Sequence, residues 1–424
     1  MIGPCGAITT FADGLSPSAE LHVATSGDNL SGNGSAGSPF ATIERAAQDA
    51  TPGTAIIVHA GTYAGGLYLT GLRGSAAAPI WIGGAAGEAR PVIEGGATGM
   101  HLSQISYLVV HDLEVSGPTA NGLNVDDGGM TANDQAAHHV IFRNLSIHDV
   151  GSTGNQDCLK LSGLNDYVVL YSYMARCGGG SSGSGVDHVG CHRGIIAFNV
   201  FEQMAGNAVQ AKGGSTDIDL YANRVIDGGD RAFNLGGSTG FEFFRPPLST
   251  TGANAEARRI RAIANVISGS DAAIAFVGCD DCLAAHNTII NPARWTVRIL
   301  QETVSTATYT FLPSGNSRFI NNLVSFRRSD VSVDVNVGPN TAPETFTFAN
   351  NLWYASDNAG ASAPNLPVTE MGGVVGQDPL LDASYAIGGT SPAAGAGLAL
   401  SEVEGDFDGR CYATPPAIGA FAAP

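Results

Sequence analysis

An asparagine followed by a short apolar stretch recurs along this chain. It appears at Asn144-Leu145, Asn199-Val200, Asn223-Arg224-Val225, Asn265-Val266-Ile267, Asn287-Thr288-Ile289, Asn321-Asn322-Leu323 and Asn350-Asn351-Leu352, with Ser172-Tyr173 filling one place. Successive starts lie 28, 27, 24, 42, 22, 34 and 29 residues apart. Periods of about 20–50 residues are those of solenoids. A unit of three short strands with polar corners cannot bury its own apolar face. Stacked units bury a continuous apolar cylinder, and their corner asparagines ladder from coil to coil. The 42- and 34-residue gaps fit coils that carry inserted loops. A propeller needs four strands per repeat, more than these repeats hold.

Between the asparagines run short β-type segments such as Ala55-Ile56-Ile57-Val58, Gly66-Leu67-Tyr68-Leu69, Ile80-Trp81-Ile82 and Tyr107-Leu108-Val109-Val110, punctuated by Gly, Asn, Asp and Ser. This pattern is all-β. One helical segment stands out: between Pro39 and Ala50, residues Phe40, Ile43, Ala46, Ala47 and Ala50 share a face, and Thr51-Pro52-Gly53 ends it. Placed before the first coil, that helix covers an otherwise open end. The chain is expected to be one domain over 1–424. An N-terminal strand and cap helix occupy about 20–54, coils occupy 55–357, and an Ala-, Pro- and Gly-rich tail over 358–424 packs on the last coils. About 12 coils at ~4.8 Å each give a cylinder ~55–60 Å long.

Composition narrows the partners. The formal charge is −18, with 38 acidic residues against 20 basic ones. No basic stripe is present to neutralise phosphates, so nucleic acid is disfavoured. No apolar run approaches the ~18–20 residues that span a bilayer. Met1 to Asp13 shows no basic n-region and no long apolar h-region, so no signal peptide is visible. Seven cysteines form an odd set. The lone Cys279-Asp280-Asp281-Cys282 reads as a local disulfide or two free thiols rather than zinc, which takes four ligands. Only two lysines occur, Lys160 and Lys212, beside 18 arginines.

Strand side chains alternate in and out, so the outward positions of each coil follow from the apolar ones. Leu123-Asn124-Val125-Asp126 presents Asn124 and Asp126, and Leu159-Lys160-Leu161-Ser162 presents Lys160. Val186-Asp187-His188-Val189 presents Asp187, with His188 a further candidate. Val209-Gln210-Ala211-Lys212 presents Gln210 and Lys212, and Phe233-Asn234-Leu235 presents Asn234. Stacking puts Asn124, Lys160, Asp187, Gln210 and Asn234 in one row, and Asp126, Ser162 and Lys212 in the next. Asp127, Asp157 and His192 fall at strand ends. Past Asn234 the same positions are Ala275 and Val277, which ends the polar patch. Asp and Asn at corners are ordinarily turn-formers, and exposed Arg231 and Arg245 are ordinarily solvated. The pairing of both lysines on one patch is what a turn-former reading leaves unexplained.

The opening segment resembles that of the right-handed parallel β-helix proteins of the pectate-lyase-like superfamily. The likeness lies in Ser26-Gly27-Asp28-Asn29-Leu30-Ser31-Gly32-Asn33-Gly34, Pro39-Phe40-Ala41-Thr42-Ile43, Pro52-Gly53-Thr54 and Ala60-Gly61-Thr62-Tyr63. The resemblance implies a single-stranded right-handed parallel β-helix, secreted or periplasmic, that acts on a polysaccharide. Asp157-Cys158-Leu159-Lys160 and Gln210-Ala211-Lys212 are similar to segments carrying the lysine base of calcium-dependent β-helix lyases. That likeness implies a Ca²⁺ held by some of Asp126, Asp127, Asp157 and Asp187, the first two and Asp187 foremost, which acidifies the C5 proton of a uronate. Lys212, with Lys160 beside it, would take that proton, while Asn124, Gln210, Asn234, Arg231 and His192 bind the acidic polysaccharide. A monomer is expected.

Two other readings are open. Asn155-Gln156-Asp157-Cys158-Leu159-Lys160-Leu161-Ser162-Gly163 also resembles the Asp-Asp-Cys…Ser-Gly stretch of polygalacturonase-type hydrolases. Asp157 would then be the acid, Asp126 or Asp187 the base and His188 the family's histidine. Gln156 and Val125-Asp126-Asp127 depart from that pattern. A non-catalytic carbohydrate-binding or surface β-helix is the third reading. The −18 charge repels a polyanion at long range, although 0.15 M salt screens this beyond ~8 Å.

Overall fold

The computed structural model describes residues 2–403 and 405–424, which form a right-handed parallel β-helix. Three long parallel sheets of 13, 10 and 12 strands run its length. Each coil visits them in a fixed order. In one coil, Leu159–Ser162 lies in the second sheet, Leu164–Leu170 in the first and Tyr173–Cys177 in the third; Ser184–Val189 then returns to the second. The 10-stranded second sheet begins at Leu67–Thr70 and ends at Val335–Val337.

The interior is apolar because inward positions stack on themselves. Leu123, Leu159, Val186, Val209, Phe233, Ile274 and Val297 are successive register partners, and all are buried. At the corner between the first and third sheets the predicted ladder is present. Asn199, Asn223, Asn265, Asn287, Asn322 and Asn351 each pass an amide hydrogen bond to the next, at 3.0, 3.0, 2.9, 2.9 and 3.1 Å. Asn351 passes the last one, at 2.7 Å, to Glu370, whose carboxyl burial pushes above the usual range. The residue preceding each rung has a left-handed backbone, with φ from 49 to 58° at Tyr171, Phe198, Ala222, Ala264, His286, Asn321 and Asn350. That conformation is disfavoured for most of these side chains, and the satisfied rung holds it in place.

At the first rungs the structure differs from the sequence reading. Asn144 occupies the left-handed position, and Leu145 takes the rung, its N–H bonding Ser172 Oγ at 3.1 Å. The cap helix is shorter than its apolar face, spanning Ile43–Asp49. Thr42 is its N-cap, and Ile43 and Ala46 are buried against the interior. No helix among the described residues is long and apolar enough to cross a membrane.

The tail reaches farther than the last coils. Leu366 and Val368 pack against the end of the interior. The chain then returns along the outside, where Asn321 Nδ2 donates to Leu398 O at 2.7 Å and Tyr221 Oη to Asp406 O at 2.8 Å. Cys411 pairs with Cys5, so the tail and the N-terminal arm are joined over the first sheet. Cys158–Cys177 and Cys279–Cys282 are also disulfides, and Cys191 is free and buried.

The long gaps are inserted loops, as the spacing predicts. One follows Arg231–Gly236 and the other follows Trp295–Leu300. They pair through Ala253–Asn254 and Thr310–Phe311, and Phe241 and Phe244 pack on Phe311. Replacing Asn265 with Ala orphans the buried Asn223 N–H and removes the side-chain bond to the Leu220 carbonyl, both made at 2.8 Å. At roughly 1–3 kcal/mol per orphaned buried group, Asn265→Ala is expected to cost about 3 kcal/mol. Denaturant unfolding of the purified variant measures it.

Candidate functional site

The second sheet aligns the predicted row in register. Asn124 pairs with Lys160, Lys160 with Asp187, Asp187 with Gln210 and Gln210 with Asn234. In the neighbouring row Asp126 pairs with Ser162, Ser162 with Val189 and Val189 with Lys212. The Asn124 row also extends two coils earlier, to His101 and then Tyr68.

Asp187 is the centre of this patch. It is buried, hydrogen-bonded by Lys160 Nζ, accepts from Gln210 Nε2 at 3.0 Å, and lies 3.7 Å from Lys212 Nζ. Burial alone would raise its pKa, but the two ammonium groups hold it well below the ordinary carboxylate range. Polar contacts continue along the row: Asn234 Nδ2 donates to Gln210 Oε1 at 2.8 Å, and Arg231 donates to Asn234 Oδ1 at 3.2 Å.

The two lysines differ. Lys160 sits between Asp187 and Asp157, whose Oδ2 is 3.4 Å away. Its burial favours the neutral amine, yet the charges of Asp187 and Asp157 outweigh that and raise its pKa. Lys160 is therefore a fixed cation. Lys212 Nζ has the 3.7 Å ion pair with Asp187 and, among the described residues, no hydrogen bond, so it is less engaged than Lys160. Both open to one cleft of about 480 Å³, lined also by Asn124, Asp126, Ser162 and Phe243.

Asp157 is 1% exposed, and burial together with the charge of Asp187 pushes it up to about 6. Its Oδ1 accepts from Ser184 N at 2.8 Å, while its Oδ2 has no hydrogen-bond donor. It supports Lys160 from beneath and does not line the cleft.

His188 occupies an inward position, in register with Leu161 and Ala211, which corrects its placement on the outer face. Its Nδ1 lies 2.7 Å from the Gln210 carbonyl oxygen, its ring packs on Tyr167, and burial pushes its pKa down to about 4. It is a core residue that no substrate reaches. His192 is likewise apart from the lysines. It lies on the first sheet, bonds Thr216 Oγ1 at 3.0 Å and lines a separate cleft of about 300 Å³. Arg231 is committed to Glu302 at 2.5 Å.

The three carboxylates expected to share a metal face separate partners. Asp127 is gripped by Arg245 at 2.7 and 2.9 Å. Asp126 accepts from Ser103 Oγ at 2.6 Å and lies 2.5 Å from His101 Nε2; these contacts outweigh burial and lower its pKa. Asp187 belongs to the lysines. Among the described residues no cluster of three or more His, Cys, Asp or Glu side chains is arranged to hold a metal ion. As arranged, Asp126, Asp127 and Asp187 do not fit a Ca²⁺ ion.

Arg245 explains the wall of the cleft. It belongs to the first inserted loop and reaches a residue 118 positions earlier, crossing close over Gly163. A Cβ on Gly163, whose φ is +71°, would lie 2.3 Å from Asp127 Oδ2, so only glycine fits under this pair. Buried Glu256 ties the two loops together by accepting from Gly213 N, Thr239 and Thr303. His101 was within reach of sequence reasoning, since Met100-His101-Leu102-Ser103 alternates as the later strands do. Glu302 and Phe243 lie in loops without a period and gave no such signal.

No protein-family model and no curated protein sequence matches the chain. Solved structures do. Pectate lyase Pel9A is similar over 97% of this chain and 98% of its own, at 17% identity and a TM-score of 0.59. The GH136 lacto-N-biosidase from Eubacterium ramulus is similar over 84% of this chain and 67% of its own, at 14% identity and a TM-score of 0.57. XylC, solved with xylose, is similar over 86% and 87%, at 12% identity and a TM-score of 0.52. The chain thus shares its parallel β-helix fold with these structures.

Asp157 supplies a test of this electrostatic picture. Its folded pKa of about 6 exceeds the ordinary 3.8, so its contribution to stability is full below 3.8 and is lost as pH rises through about 6. Asp157→Asn removes that loss. The stability of the variant relative to wild type is expected to improve by about 3 kcal/mol between pH 3.5 and 7.5, read by denaturant titration at each pH.

Proposed function

We infer that the protein is a polysaccharide lyase that cleaves a uronate-containing glycan by β-elimination, with Lys212 as the base. The observation that carries this reading is the division of labour between the lysines around Asp187: Lys160 is locked as a cation, and Lys212 faces the same cleft with its nitrogen less engaged. Lys160 has a third N–H to offer and meets the substrate carboxylate, offsetting the negative charge that accumulates on it as C5 loses its proton. Lys212, after giving up its own proton to solvent, accepts that proton. The C5–H electron pair becomes the C4=C5 double bond, the C4–O bond breaks, and the departing oxygen takes a proton from water. Lys160 supplies local positive charge for an acidic glycan on a chain whose net charge is −18. The likeness in fold to a pectate lyase agrees with this reading. Three disulfides suit an oxidising, extracellular or periplasmic setting.

Hydrolysis with Asp157 as acid is the second reading, favoured by its pKa of about 6. Its burial beneath Lys160 makes it the weaker one.

Removal of a positioned base costs typically about 10²–10⁴-fold. On a panel of uronans, Lys212→Ala is expected to lower formation of the ultraviolet-absorbing unsaturated product by that factor. Lys212→Arg, which keeps the charge, is expected to bind substrate and remain as slow. Full turnover by Lys212→Ala overturns the assignment. The pH profile separates the chemistries: kcat/KM of an elimination by neutral lysine climbs with pH on its acid limb. Hydrolysis by protonated Asp157 declines as pH rises through about 6.

A further inference from the structure

The row of outward side chains that holds Lys160 and Asp187 is open at one end and barred at the other. Arg231 stands at the start of its strand, and Glu302 follows the end of Trp295–Leu300, two strands further along the sheet. The two meet at 2.5 Å over the outer face of the second sheet, where Arg231 also reaches the row at Asn234. The row positions under this bar are covered: Asn234 is 1% exposed and Ala275, an outward position, is 0% exposed. Toward the N-terminal coils the same row opens out, through half-buried His101 to Tyr68, which is 56% exposed. The loop that carries Glu302 is fixed by its pairing with the other insertion and by Glu256, so the bar stands on a braced support.

From Asn124 to Gln210 is three strand steps, or about 14 Å at ~4.8 Å per step. Lys212 belongs to the last open coil, and the coil after it is the covered one.

We propose that the Arg231–Glu302 pair closes the row one coil beyond Gln210 and Lys212, so that the site takes the end of a glycan chain and releases one or two sugar units at a time. The proposal rests on the uronan lyase reading only for the nature of the substrate. The rest of the chain extends past Asn124 and His101 toward Tyr68, whose exposed ring offers an apolar face to a sugar.

Two measurements test it. In the first, size-exclusion chromatography follows the products of wild type on a cleaved uronan. Mono- and disaccharides are expected from the earliest times, with the viscosity of the polymer scarcely changed. Glu302→Ala removes the bar and is expected to shift early products to longer oligomers with a rapid fall in viscosity, while Glu302→Gln, which keeps the bulk and a hydrogen bond, behaves as wild type. A broad oligomer ladder from wild type at early times overturns the proposal. In the second, calorimetry measures binding of uronate and neutral hexasaccharides to Lys212→Ala, free or blocked at one end or the other with a bulky group. Blocking one particular end is expected to abolish binding in the presence of Glu302 and to be tolerated with Glu302→Ala. Equal binding of free and blocked chains, or binding of neither, overturns the closed end. Because binding is read without turnover, failure of the lyase chemistry alone leaves this second result decisive.

Discussion

Everything in this molecule depends on the register with which one coil hydrogen-bonds to the next. Parallel pairing fixes which residue stands above which, and the asparagine ladder fixes the corner at which each coil turns. A slip of one residue would turn every inward side chain outward. The ladder prevents this, because each rung satisfies a buried N–H of the coil before it and would leave that donor unpaired if displaced. Aromatic and histidine side chains can then occupy left-handed positions before the rungs, as Phe198 and His286 do.

The same register builds the site. Side chains at equivalent positions in successive coils are held about 4.8 Å apart, so charges placed there must neutralise one another. Asp187 between Lys160 and Lys212 is the outcome: a buried carboxylate that is tolerated because two cations flank it. One lysine is fully engaged in that neutralisation and the other only at 3.7 Å. This inequality, more than the presence of two lysines, gives the patch chemical direction.

The row Asn124, Lys160, Asp187, Gln210 and Asn234 was legible because alternation in a strand is strict and the apolar neighbours mark the inward side. His188 was not, since two adjacent polar residues hide the alternation, and nothing local shows that the Gln210 carbonyl awaits the imidazole inside. The metal reading has a related origin. Asp126 and Asp127 read as ligands when their cationic and polar partners are out of view, and Arg245 lies 118 residues from the carboxylate it grips. Inserted loops follow no repeat, so the wall they build and the bar at Glu302 are products of tertiary contact alone. The ladder itself was legible in its later rungs; the substitution of Leu145 for its first was not, because Asn144 fills the adjacent left-handed position that asparagine also favours.

The central claim is that the chain removes a proton from C5 of a uronate. A uronan labelled with deuterium at C5 tests it directly, with the products read by mass spectrometry. Elimination by Lys212 predicts that each cleavage yields an unsaturated end that has lost its C5 deuterium to solvent. Cleaved products that are saturated and retain the deuterium at every C5 would contradict the account and assign the cleft to hydrolysis.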